Sequence, residues 1–208
     1  MTLSVRFRVV LAVLVAAIAA SACAAAEVPL RDGDIIFHTS RSAQSVAIQR
    51  ATRSRYSHMG LILHRDGRPF VFEAVSTVKF TPLAEWIARG EGGRYVVKRW
   101  RDAAARLDAA GGEKLRAQAA ALAGRRYDLT FEWDDDRIYC SELVWKAYER
   151  AFGVHIGETQ RLRDFDLTDP AVKTKLRERY GADVPLEEPV ISPQAMFDSA
   201  LLVTVAGH

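Results

Sequence analysis

Two apolar-alternating runs flank the turn Arg65-Asp66-Gly67-Arg68, and they constrain the fold of this chain more than any other stretch. Asp-Gly at the centre of a short connection favours a tight hairpin whose twist matches its strands. Centring the turn there pairs His64 with Pro69, Ile62 with Val71, Gly60 with Glu73 and His58 with Val75. Side chains alternate between the two faces of a strand. One face therefore carries Met59, Leu61 and Leu63 against Phe70, Phe72 and Ala74. That face is wholly apolar and must turn inward. A slip of one residue would expose it, so the register is fixed.

The opposite face sets His58 diagonally from Glu73, and Gly60 removes the side chain that would crowd them. Diagonal cross-strand neighbours lie within reach of each other. A carboxylate that accepts from one ring nitrogen fixes the tautomer of an imidazole and supports its cation. An isolated His–Glu pair on a strand is more often structural than catalytic. Cys140 changes that weighting.

Cys140 opens an apolar helix in the run Tyr139-Cys140-Ser141-Glu142-Leu143-Val144, whose stripe continues through Ala147, Tyr148 and Ala151. A helix N-terminus carries partial positive charge and free amides, which favour a thiolate and can hold an oxyanion. A buried cysteine on an apolar helix face is usually an inert core residue. Its place at the helix start, and the His58/Glu73 face, favour a nucleophile instead. The Asp134-Asp135-Asp136 run just before it would oppose a thiolate, and reads as a solvated turn leading into the helix.

Export sharpens the argument. Residues 1–26 begin with Arg6 and Arg8, run apolar from Val9 to Ala20 and end in small residues, the layout of a secretory signal. Cleavage after Ala24 or Ala26 is expected. A second reading makes Cys23 a lipid-modified N-terminus, the sole route to membrane association. Either way Cys140 is left as the one cysteine of residues 27–208, with no internal disulfide available. Removing the segment also lowers the formal net charge of +3 by its two arginines. No basic stripe interleaved with aromatics remains, and nucleic acid is excluded as a partner. Residues 27–208 are expected to form one domain with length enough for a packed core.

Elsewhere the pattern predicts a strand at Asp34–Thr39, a helix at Ser42–Thr52, and a short helix from Thr81-Pro82 to Ile87. A strand over Tyr95–Arg99 and helices over Glu113–Ala123, Tyr139–Phe152 and Asp169–Tyr180 follow, then a turn at Ser192-Pro193 before an apolar tail, Leu201–Val205. Strands cluster early and helices late, which argues for an α+β domain. The charged stretch 161–189 reads as a flap or surface elaboration.

These residues, in this order, resemble a known family. The segments are Leu30-Arg31-Asp32-Gly33-Asp34-Ile35-Ile36-Phe37, Tyr56-Ser57-His58-Met59-Gly60, Phe72-Glu73-Ala74, Tyr127-Asp128-Leu129, Tyr139 to Val144, and Ser192-Pro193-Gln194. Together they are similar to the permuted papain-like amidases of the YiiX/YaeF type, within the NlpC-like cysteine hydrolase superfamily. The resemblance implies a circularly permuted papain-like fold, an antiparallel sheet packed against helices with the nucleophile at a helix N-terminus. It implies Cys140 as nucleophile, His58 as base, Glu73 as the orienting residue and Tyr139 as a lining of the substrate groove. It also fits an exported, periplasmic or envelope location.

The expected activity is hydrolysis of an amide in a peptide or N-acyl substrate through a Cys140 thioester, with no cofactor. A lipid acyltransferase on the same fold and a non-catalytic envelope binding module are the alternatives. A zinc site on Cys140, His58 and Glu73 is a third, weaker one, and no metal is expected. His38 lacks an evident carboxylate partner, His64 sits too far along the strand to share a site with His58, and His155 and His208 read as loop and terminus residues.

Overall fold

The computed structural model describes residues 28–207. The expected signal segment with Cys23, and His208, lie outside the described residues. Strand β1 (Ile35–His38) follows a turn at Gly33, whose φ of 89° favours glycine. Helix α1 (Ala43–Thr52) starts at Ser42, whose Oγ accepts from the Ser45 amide, and stops where Arg53 turns left-handed. Strands β2 (His58–Arg65) and β3 (Arg68–Ala74) form the hairpin, with Asp66 and Gly67 both at positive φ. Two such residues make the mirror-image turn that suits strand twist. The partners Ile62–Val71 and His64–Pro69 are those expected.

Strand β4 (Val78–Pro82) pairs with β3 and was not foreseen; Thr81 and Pro82 finish this strand rather than start a helix. Helix α2 (Leu83–Arg89) follows at once, then β5 (Val96–Trp100), a single turn α3 (Ala103–Arg106) and α4 (Ala109–Ala120). Helix α4 begins before the expected Glu113 because the Asp108 carboxylate accepts from the Gly111 amide. A Cβ on Gly111 would lie 1.9 Å from the Arg106 carbonyl oxygen, so a residue that reads as a helix breaker is a packing requirement.

Short strands β6 (Arg126–Tyr127) and β7 (Arg137–Ile138) run parallel and lead into α5 (Cys140–Phe152). Next come β8 (Gln160–Arg161), α6 (Pro170–Tyr180), β9 (Pro189–Val190), α7 (Pro193–Phe197) and β10 (Leu202–Gly207). The expected apolar tail is thus an edge strand. The 161–189 stretch is fastened rather than loose: Arg161 and Arg163 both pair with Glu187, and the Asp166 amide donates to the Ala51 carbonyl at 3.0 Å.

Six strands make one antiparallel sheet in the order β10-β5-β1-β2-β3-β4. Its inner face, including Met59, Leu61, Leu63, Phe72 and Ala74, packs under Leu143, Val144, Ala147, Tyr148 and Ala151 of α5. The architecture is the α+β one expected. The other face is also covered, since Ile36, Ile62, Val71 and Val97 form a second core beneath Trp86 of α2.

Gly60 lies where that sheet is tightest. A Cβ there would come within 2.4 Å of Val71 Cγ1 and 2.9 Å of the Phe72 carbonyl oxygen. Gly60→Ala is therefore expected to destabilise the fold by about 1–3 kcal/mol, the usual cost of overpacking a core. Thermal denaturation checks this, and an unchanged melting temperature would reject the crowding.

Candidate active site

Glu73 is fully buried in β3, and four side chains donate to it. Thr81 Oγ1 (2.6 Å) and the Arg89 guanidinium donate to Oε1. His58 Nε2 (2.6 Å) and Trp86 Nε1 (2.9 Å) donate to Oε2. Burial alone would raise this carboxyl's pKa, but the hydrogen bond and charge of His58, with Thr81 and Arg89, hold it at about 2. The carboxylate is therefore charged and immobile.

Cys140 is the first residue of α5 and is 2% exposed. The Glu142 carboxylate accepts from the Tyr139 amide at 3.3 Å and lies 2.7 Å from Lys146 Nζ, which ties down the first turn. With its apolar stripe pressed on the sheet, the helix sets Cys140 beside His58. Because Nε2 is occupied by Glu73, Nδ1 is the nitrogen left for the sulfur. Burial lowers the His58 pKa, but hydrogen bonds to Cys140 and Glu73 outweigh it and lift the value to about 9. At neutral pH the ring is a cation, held by the buried Glu73 carboxylate and beside the Cys140 sulfur. The structure thus brings Cys140, His58 and Glu73 together in one line of contact.

The other residues singled out from the sequence fall elsewhere. Tyr139 is 1% exposed; its hydroxyl accepts from the Ile191 amide at 3.0 Å, and its ring forms part of a cavity wall. His38 pairs with His58 across β1 and β2, stacks on Trp86 at 3.8 Å, and has a buried Nδ1 with no partner. Burial, then the His58 and Arg89 charges, push its pKa down to about 3, so His38 stays neutral. His64 bonds to Asp32 at 2.7 Å, and His155 stacks on Trp145. The Asp134–Asp136 run is a turn as expected, with Asp135 paired to Lys146 and Arg150 and Asp134 accepting backbone amides.

Thr81, Trp86 and Arg89 escaped the sequence reading. Trp86 and Arg89 stand three residues apart on α2, a same-face spacing that was legible, but nothing local says that this face covers Glu73.

Two cavities meet at the contact. An apolar one ends on Cys140 and is walled by Ala47, Ile48, Leu162, Phe165, Leu176 and Ile191. A polar cleft of about 540 Å³ holds His58, His38, Ser57, Arg89 and Arg126. Gln44, Ile48 and Tyr127 line both.

The His58 shift fixes a pH dependence. Its contribution to stability is complete below the free-imidazole value of 6.5 and is lost as the pH rises through about 9. That of Glu73 is complete above 4.5 and is lost as the pH falls through about 2. The His58 ring protons, followed by NMR, should titrate near pH 9, and Glu73→Gln should bring the midpoint down. A wild-type midpoint at or below 6.5 would reject the contact.

Comparison with known proteins places the chain in a family. A family model described as "Permuted papain-like amidase enzyme, YaeF/YiiX, C92 family" matches residues 29–206. The chain is 53% identical over 174 residues to YiiX of Escherichia coli (strain K12), covering 84% of this chain and 85% of that protein. A crystal structure titled as that of the metalloprotein yiiX from Escherichia coli O157:H7 superposes with a TM-score of 0.82 at 53% identity. It covers 86% of this chain and 97% of that one. With the family model spanning nearly all described residues, the chain belongs to the permuted papain-like amidases of the YaeF/YiiX, C92 family.

Proposed function

We propose that this protein is an exported cysteine amidase that cleaves N-acyl substrates through a thioester on Cys140. The observation that carries the reading is His58, bonded through Nε2 to a buried carboxylate and in contact with Cys140 on its other side. Cys140 Sγ attacks the amide carbon, forming the C–S bond while the carbonyl π pair moves to oxygen. On collapse the C–N bond breaks, and His58 gives its proton to the departing amine. Water then attacks the thioester carbon as His58 takes its proton, the C–S bond breaks, and the acid leaves with the Cys140 sulfur restored beside a protonated His58. Glu73 holds the ring and stabilises its cation throughout.

The two cavities support a division of the substrate into two halves. The leaving amine must face His58, which protonates it, and so belongs in the polar cleft. That cleft presents Arg126, beside an Arg89 whose charge is already met by Glu73, which suits an amine bearing negative charge. The acyl group then lies in the apolar cavity that ends on Cys140. Arg6, Arg8 and the apolar run after them support export.

A metal does not fit here. Both Glu73 oxygens are taken by donors, and among the described residues no group of three or more His, Cys, Asp or Glu is arranged to hold an ion. The metalloprotein description of the O157:H7 relative therefore carries no step in this mechanism.

Cys140→Ala is expected to abolish turnover with the fold intact by circular dichroism, while the wild type yields an acyl adduct at Cys140 by mass spectrometry; retained turnover would reject the nucleophile. In a series of straight-chain N-acyl amino acids, kcat/KM should rise about fourfold per added methylene until the cavity is full, from roughly 0.8 kcal/mol of burial each. A flat series would remove the acyl cavity from the reading. Turnover should also survive exhaustive chelation.

A further inference from the structure

His38 is a buried imidazole that no step above uses, and it stands in the wall of the polar cleft beside His58. Its position is fixed twice. The strands pair it with His58, and its ring lies on Trp86 with centres 3.8 Å apart and planes 17° from parallel. The two ring nitrogens meet different surroundings. Nδ1 is sealed without a partner, and Gly90 closes over it: a Cβ there would lie 2.8 Å from Nδ1 and 3.2 Å from Cγ. Nε2 is not sealed and makes no hydrogen bond among the described residues, so it lies on the edge that the ring gives to the cleft.

A neutral imidazole carries a single N–H. On Nδ1 that proton would be buried against Gly90 with nothing to accept it, so it belongs on Nε2, where the cleft admits an acceptor. Burial, with the charges of His58, Arg89 and Arg41, keeps the ring neutral. The cleft thus holds a rigid, uncharged donor whose ring centre is 5.3 Å from that of His58. Arg126 adds an exposed cation that makes no ion pair among the described residues.

We propose that His38 is a specificity-determining residue: its Nε2–H donates to a carboxylate on the carbon that bears the leaving nitrogen, so that the preferred substrates are N-acyl α-amino acids. The proposal rests on the thioester reading and names the amine half of its substrate. In such a substrate the carboxyl carbon is two bonds from the nitrogen that His58 protonates, which brings its oxygens within reach of the neighbouring ring. Arg126 supplies the balancing charge, and His38 supplies direction.

The test compares an N-acyl amino acid with the matched N-acyl amine that lacks the carboxylate. The wild type should favour the first in kcat/KM by more than about tenfold, the usual worth of a hydrogen bond to a charged group. His38→Phe keeps a flat ring on Trp86 and removes the donor. It should lower that preference about tenfold or more, mainly through KM. His38→Gln loses the stack but carries an amide N–H as many bonds from Cβ as Nε2, and should keep most of the preference. In the wild type, ¹⁵N shifts of the His38 ring should show Nε2 protonated and Nδ1 bare at neutral pH. The opposite tautomer, no preference in the wild type, or an unchanged preference in His38→Phe would each overturn the proposal. So would equal losses on both substrates in the two variants, which would make His38 a packing residue. Failure of the underlying reading is distinct, since neither substrate would then leave an acyl adduct on Cys140, whatever the tautomer.

Discussion

A carboxylate with no exposed surface governs this protein. Glu73 is surrounded by Thr81 from β4, Trp86 and Arg89 from α2, and His58 from the neighbouring strand. A buried charge left unpaired costs several kcal/mol, so each of these donors is needed for the fold as well as for the chemistry. That requirement explains why a second layer covers the outer face of the sheet. Helix α2 brings the indole and guanidinium down onto the hairpin, and Trp86 at once seals the small core of Ile36, Ile62, Val71 and Val97. Stability and site geometry are consequences of one interaction.

Electrostatic order at the site follows from it. A charged Glu73 supports a charged His58, and that cation in turn suppresses protonation of His38 beside it. Two imidazoles whose rings are centred 5.3 Å apart thus sit in opposite states at neutral pH. The neutral His38 packs against Trp86 and keeps the indole in place without adding a second positive charge. On the far side of the ring, the first turn of α5 is braced by Glu142, Lys146 and Asp135. Position there is set by the contacts of Glu142, Lys146 and Asp135 along the helix and by the apolar stripe beneath it.

Residues 161–189 have a larger part than their composition suggests. They are charged outward and apolar inward, with Leu162, Phe165 and Leu176 facing the cavity above Cys140. The same segment that looks like decoration in one dimension supplies the wall against which an acyl chain is proposed to lie. A charged sequence with widely spaced apolar residues gives a weak helical signal, and α6 is held by its Asp169 cap and by α1 rather than by its own amphipathicity.

The sequence alone determined what local rules control. The hairpin register, the inward face of Met59, Leu61 and Leu63, the His58–Glu73 diagonal and the start of α5 at Cys140 all follow from period-two alternation, an Asp-Gly turn and an apolar helix stripe. The start of α4 was set too late because the Asp108 cap, with Gly111 close against the Arg106 carbonyl, is what fixes it. Strand β4 went unseen because its place at the sheet edge is set by pairing with β3, not by its own five residues. Only the tertiary structure could decide that Trp86, Arg89 and Thr81 converge on Glu73, or that Gln44 and Tyr127 stand between two cavities. Such groups lie far apart along the chain, and their meeting depends on how layers stack, a long-range outcome that no short window of residues encodes.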